Sequence, residues 1–199
     1  MEPRRDLIDP ERLEIRGRRV IMRVLRREDV GERYVRWLND VRVNEYSDRR
    51  YHVPYTLDDA LGYFASMRRD ELLLGVWTKP LGHIGNVKVG PIDWGNEAAE
   101  IAIMLGEPSS WNKGIGREVM YNTAHFLFDT CGLHRVDAAS CNPAFLRLVE
   151  RLGWKVEGVQ RERVHLNGEF VPFTWVGLID REFIRQPDLE SLPECTSSS

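Results

Sequence analysis

The residues best suited to hold a ligand are Trp111-Asn112-Lys113-Gly114-Ile115-Gly116-Arg117. Two glycines one residue apart, with a lysine beside them, open a helical stretch and leave backbone N–H groups unobstructed. A helix N-terminus carries partial positive charge, so a phosphate or pyrophosphate is the ligand such a turn fits. An ordinary helix start can also carry glycines, so the decision falls to other residues. Glu100 is the second candidate. It lies in the apolar run Ala98 to Leu105, whose odd face is Ala99, Ile101, Ile103 and Leu105 and whose even face is Ala98, Glu100, Ala102 and Met104. A lone carboxylate among small groups is either paired or lines a wet cleft. In a partly desolvated cleft its pKa rises and it becomes a proton acceptor near neutral pH. Asn142-Pro143 is the third, an N-cap with proline at the first helical position.

Composition narrows the setting. A chain of 199 residues fits one domain with extensions, and 42% hydrophobic content with six tryptophans supplies a substantial core. The formal net charge is −3, from 28 basic and 31 acidic residues, which gives no reason to expect nucleic acid or an acidic membrane as partner. The basic residues Arg16, Arg18, Arg19, Arg26 and Arg27 read as solvated strand flanks. Cys131, Cys141 and Cys195 are odd in number and lack metal-ligand spacing, and His83, His125, His134 and His165 form no ligand pair, so no metal is expected. Without an apolar leader or spanning run, the sequence reads as soluble and cytoplasmic.

The elements that must position these residues follow from periodicity. Residues 1–17 are charged and contain Pro3 and Pro10, which predicts an irregular arm. Val20 to Leu25 reads as a strand, and the stripe Val30, Tyr34, Trp37, Leu38, Val41 as a helix. A turn-rich stretch from Asn39 to Pro54 suits a binding loop or a surface connection. Thr56 and Asp59 cap a second helix with the stripe Leu57, Leu61, Phe64, Met67. Strands follow at residues 72–77, 83–89 and 98–105, then a helix over 114–131, with Ile115, Val119, Met120, Thr123, Phe126 and Leu127 inward and Gly132 as its stop. A strand over 134–140, the helix after Asn142, and two strands joined through Leu166-Asn167-Gly168 complete the pattern. The expected organisation is an N-terminal arm (1–17), one domain (18–184) and a disordered tail (185–199).

Three blocks in this order resemble the GNAT N-acetyltransferases, in the branch that acetylates ribosomal-protein N-termini, polyamines and amino sugars. Glu100-Ile101-Ala102-Ile103-Met104-Leu105 resembles the family's fourth strand. Trp111 through Glu118 is similar to its acetyl-CoA loop. Asn142 through Gly153-Trp154, with Val156-Glu157-Gly158 and Arg161, is similar to its helix and strand after it. The resemblance as a whole covers about residues 19 to 183. The resemblance implies an α/β fold with a mixed, mostly antiparallel sheet of about six or seven strands and four helices. It implies acetyl-CoA as cosubstrate, held by Ile103, Met104, Leu105, Trp111, Asn112, Lys113, Gly114, Ile115, Gly116, Arg117 and Asn142, with Glu100 as base and a backbone N–H near Met104 or Leu105 for the oxyanion.

The sequence departs from this pattern where many relatives carry the acid for the leaving thiolate. Val149 stands at the tyrosine position and Phe145 at the serine position, which leaves water or another residue such as Tyr121. Pro172 replaces an acidic residue common in relatives. Trp37 falls on an apolar stripe and reads as core, yet Trp37-Leu38-Asn39-Asp40 with Val43-Asn44 looks like relatives that modify nucleotide-linked amino sugars, so Trp37 and Asn44 stand as acceptor-contacting residues. His165 is a further residue placed to touch an acceptor. The expected activity is direct acetyl transfer to a primary amine of a small molecule or amino sugar. Protein N-terminal acetylation and a non-catalytic CoA-binding module are the alternatives, and a homodimer is a further expectation.

Overall fold

The computed structural model describes residues 8–9, 11–52 and 54–191. One eight-stranded sheet runs through it in the order β1-β2-β3-β4-β5-β6-β8-β7. The strands are β1 (Glu14–Arg16), β2 (Val20–Val24), β3 (Leu72–Thr78), β4 (Gly82–Asp93), β5 (Ala98–Leu105), β6 (Arg135–Ser140), β7 (Lys155–Leu166) and β8 (Glu169–Ile179). All neighbours pair antiparallel except β5 and β6, which are parallel. The helices are α1 (Glu32–Asn39), α2 (Val41–Asn44), α3 (Leu57–Ala65), α4 (Ile115–His125) and α5 (Pro143–Glu150). The expected mixed, mostly antiparallel architecture is present, with one strand and one short helix more than the sequence suggested.

Alternation along the strands sends side chains to two cores. On one face Met22, Leu74, Val76, Ile84, Val87 and Ile101 pack against Ile115, Val119 and Leu127 of the α4 segment and Val149 of α5. On the other, Leu25, Leu73 and Met104 pack against Tyr34, Trp37 and Leu38 of α1 and Ala60 of α3. With both faces covered, the strand runs are apolar on both sides rather than simply alternating.

Two stretches assigned to irregular ends are built into this frame. In β1 only Ile15 faces inward, at 7% exposure, between the exposed Glu14 and Arg16. Three residues with one inward side chain are too short a pattern to read as a strand, so the arm's last residues become an edge strand on β2. Residues 185–190, expected to be disordered, cross α4. Leu189 is 4% exposed, the Asn122 amide donates to its carbonyl at 2.9 Å, and Glu190 forms a β-bridge with Gly17. This strap explains why α4 buries Tyr121 and Asn122 in addition to its apolar stripe. Cys195 lies outside the described residues.

Beneath α1, His83 stacks on Trp77 with ring centroids 4.6 Å apart and meets the Trp37 edge at 5.0 Å. Its Nε2 lies 2.9 Å from the Gly85 carbonyl. Burial lowers its pKa to about 4. The unfolded chain therefore takes up this proton at higher pH than the folded one, and stability falls as pH drops from about 6.5 towards 4. This ring alone is expected to remove about 3 kcal/mol over that window. Denaturant unfolding of His83→Gln should show a flatter acid limb than the parent chain.

Candidate active site

The gap between β5 and β6 organises the site. These strands pair only at Ala98↔Arg135, Ala99↔Val136 and Glu100↔Asp137, although β5 continues to Leu105 and β6 to Ser140. Beyond Glu100 one edge of β5 has no partner strand. Successive residues of a strand present their N–H and C=O to alternate sides. The Gly106 N–H donates to the Ile84 carbonyl at 2.9 Å, so Gly106 and Met104 turn their backbone groups to β4, while those of Ile103 and Leu105 face the gap. The Leu105 carbonyl accepts from the Trp111 indole Nε1 at 2.8 Å. The Ile103 N–H and C=O and the Leu105 N–H are left for a ligand. Met104 contributes differently from the expectation: its side chain, 8% exposed, belongs to the core under α1.

At the end of the gap stands the turn that opens α4. Asn112 and Gly114 take positive φ values of 56° and 74°. Among the described residues, no acceptor is found for the backbone N–H groups of Asn112 through Arg117; the first to bond is Glu118, to the Gly114 carbonyl at 3.1 Å. The N–H groups of Ile115, Gly116 and Arg117, in the first turn of α4, therefore lie at the positive end of the helix, next to those of the turn before it. A Cβ on Gly116 would lie 3.0 Å from Leu148 and 3.6 Å from Leu105, so the helix start touches both walls of the gap and the glycine permits that approach. Ile115 turns its side chain into the core, at 7% exposure. The Arg117 guanidinium faces the strap, where it contacts Gln186 and lies 3.6 Å from Asp188. Their share in holding a ligand is thus the backbone N–H.

Glu118 fixes this turn in place. Its fully buried carboxylate accepts from the N–H of Arg19 at 2.5 Å, from Arg19 Nε at 2.7 Å and from the Val20 N–H at 3.2 Å. Arg19 also donates from Nη1 to the Lys113 carbonyl at 2.7 Å. Arg19 is therefore a clamp on the turn and not a solvated flank. Tyr121 points to the strap, where its hydroxyl donates to Glu190 at 2.6 Å and accepts from the Gln186 N–H at 2.8 Å. Burial pushes this phenol up to about 12, and its position on the strap removes it as a donor to a leaving thiolate.

Asn142 caps α5: its Oδ1 accepts from the N–H of Ala144 at 2.9 Å and of Phe145 at 3.4 Å, and no acceptor for its Nδ2 is found among the described residues. Cap and ligand donor are thus compatible in one side chain. Val149 is buried in the main core, and Phe145 is half-buried against it. Glu100 is exposed on the sheet face and makes no hydrogen bond or ion pair among the described residues. Loss of solvent around it raises its pKa; nearby Lys88 opposes the shift and Asp137, its partner in register, reinforces it.

Trp37 and Asn44 take places other than those expected. Trp37 is 4% exposed, and a Cβ on Gly106 would lie 2.2 Å from its ring. Asn44 is 1% exposed, with Nδ2 donating to the carbonyls of Leu38 at 2.6 Å and of Trp37 and Asp40 at 3.2 Å. Neither presents surface to an acceptor; together they hold α1 and α2 against the end of β5. Arg50 and Tyr51, in the turn-rich stretch whose aromatic and basic residues suit a binding loop or a surface connection, donate to the His165 carbonyl at 3.1 and 2.8 Å and bridge that stretch to the β7–β8 hairpin.

Removing the Glu118 carboxylate leaves buried donors without acceptors and releases the turn. Glu118→Ala is expected to lower the unfolding free energy by about 3 kcal/mol or more. Arg19→Ala should cost less, because that side chain is 46% exposed. Chemical denaturation of the two variants checks the order.

Comparison with known proteins bears on this arrangement. No protein of curated function matches the sequence. Among solved structures, spermidine N-acetyltransferase from Vibrio cholerae, in complex with CoA and spermine, superposes with a TM-score of 0.72 at 21% identity, covering 82% of this chain and 97% of that one. A GNAT-family acetyltransferase from Bacillus anthracis does so with a TM-score of 0.70 at 20% identity, covering 85% and 100%. At such identities these likenesses establish the fold. The acetyltransferase (GNAT) domain family matches residues 19–155, more than half of the sequence, and the chain belongs to that family.

Proposed function

We infer that this protein is an acetyl-CoA-dependent N-acetyltransferase that acts by direct transfer on a primary amine of a small molecule, amino sugars included. The observation that carries the reading is the unpaired edge of β5 opening beside six free N–H groups at the start of α4. An amide-bearing arm pairs with Ile103 and the Asn142 Nδ2, while a pyrophosphate meets the donors of Asn112 to Arg117. Each dipole contact of this kind adds on the order of 0.3–1 kcal/mol. Acetyl-CoA supplies an activated thioester. The Leu105 N–H faces the gap and serves as the oxyanion donor in preference to Met104, whose backbone groups turn to β4.

Glu100 accepts the proton of the incoming ammonium, directly or through water, and the new C–N bond forms as the C–S bond breaks. Neither Val149 nor Phe145 can donate a proton, so the thiolate takes its proton from water. Glu100, which has no ion pair among the described residues, favours a cationic acceptor over a neutral one.

Mixing the protein with acetyl-CoA and a panel of spermidine, an amino sugar and a peptide N-terminus should release thiol with a small amine. No thiol release with any of them would overturn the reading. Glu100→Gln should lower kcat roughly a hundredfold or more while leaving CoA affinity unchanged. The base works only when ionised, and its pKa is raised. Activity should therefore rise with pH through a titration above the ordinary glutamate range, and that limb should vanish in Glu100→Gln.

A further inference from the structure

A second cavity, of about 400 Å³, opens between α1, the 3-10 turn Asp48–Tyr51 and α3, and shares no lining residue with the β5–β6 gap or the α4 turn. Tyr34 lines it. That side chain is 2% exposed, yet its hydroxyl has no hydrogen-bond partner among the described residues. The oxygen itself keeps contact with solvent at the cavity, so the hydroxyl can exchange water for a ligand. Burial pushes its pKa up to about 12, which keeps it a proton donor at neutral pH.

Arg49 lines the same cavity, with its guanidinium 5.9 Å from the centroid of the Tyr63 ring. It makes no ion pair or side-chain hydrogen bond among the described residues. Neither carboxylate of the lining pairs with it among the described residues. The Asp48 side chain is 93% exposed and lies 3.9 Å from Arg50. Asp59 is committed to the α3 cap, accepting from the Thr56 N–H at 2.8 Å and hydroxyl at 2.6 Å. Among the described residues, the cavity thus joins a cation and a phenol that have no side-chain partner, with Tyr55 and Tyr63 as aromatic walls.

We propose that this cavity is a binding site for a small molecule bearing a carboxylate or phosphate, held by Arg49 and the Tyr34 hydroxyl with its organic part against Tyr55 and Tyr63. A planar guanidinium matches both anions, and a charge-assisted bond is stronger than one between neutral groups.

Titration calorimetry on the full chain tests it, with acetate, inorganic phosphate and glucose 6-phosphate as separate probes and glucose as the neutral control. Coenzyme A is present so that its own phosphates occupy the α4 turn. At least one anion should bind saturably and glucose should not, and the acetate and phosphate arms decide which headgroup is preferred. Arg49→Gln should weaken that binding at least about tenfold, and Tyr34→Phe, which keeps the ring, several-fold. Should CoA itself not bind, the difference between the parent chain and Arg49→Gln still separates this cavity from the α4 turn. No anion binding, binding unchanged in both variants, or preferential uptake of spermidine in the cavity would overturn the proposal.

Discussion

The buried Glu118 carboxylate is the constraint on which the rest of the site depends. A charge removed from water must be met by donors from several directions, or the fold is strongly destabilised. Here the donors are the backbone at Arg19 and Val20 and the Arg19 side chain, all at the start of β2 and about a hundred positions away in sequence. Satisfying that carboxylate therefore docks the first turn of α4 onto the sheet in one orientation. The same guanidinium draws the Lys113 carbonyl inward, which leaves the N–H groups of the turn facing the other way. The anion cradle proposed for this turn would be a consequence of how one buried anion is neutralised.

β5 converts that fixed helix end into a site with direction. Its first half is locked between β4 and β6, and its second half keeps only β4. The Trp111 indole bonds the last gap-facing carbonyl, and Gly116 lets the helix start approach Leu105 and Leu148. Across the sheet, the Trp37 ring against Gly106 holds the same strand end from the α1 side. The end of β5 is thus braced on three sides and open on the fourth, which is the preorganisation that an acyl-transfer site needs.

What could be read from the sequence were features with local causes. The strand Ala98 to Leu105 announced itself by alternation, the α4 turn by its glycines and Asn142 by the Pro that follows it. What could not be read were partners distant in the chain. Arg19 looks solvated until Glu118 is placed beside it, and Tyr121 looks available until Glu190 and Gln186 are seen on its hydroxyl. Asn44 suffers the reverse error. A polar residue in a turn-rich loop suggests a ligand contact, but its amide is consumed by three carbonyls at the α1–α2 junction. The edge strand β1 and the C-terminal strap were illegible because each buries a single side chain between polar neighbours, Ile15 in one and Leu189 in the other.

Glu100 differs from the other carboxylates around it in what it lacks. Asp29 is bound by Arg23 at 2.8 Å, Glu71 by Lys88 at 2.8 Å, Glu107 by Arg33 at 3.0 Å, and Asp137 by Arg135. Ion pairs and hydrogen bonds hold Asp29, Glu71 and Glu107 below the usual carboxylate range. A carboxylate so held is a poor base. Glu100 has no such partner, and the Asp137 charge beside it and the loss of surrounding water move it the other way. A cation that approaches through the open half of the gap therefore meets one carboxylate whose charge is not already answered. The fold spends its arginines and lysines on the neighbours and leaves this carboxylate beside β5 without an ion pair among the described residues.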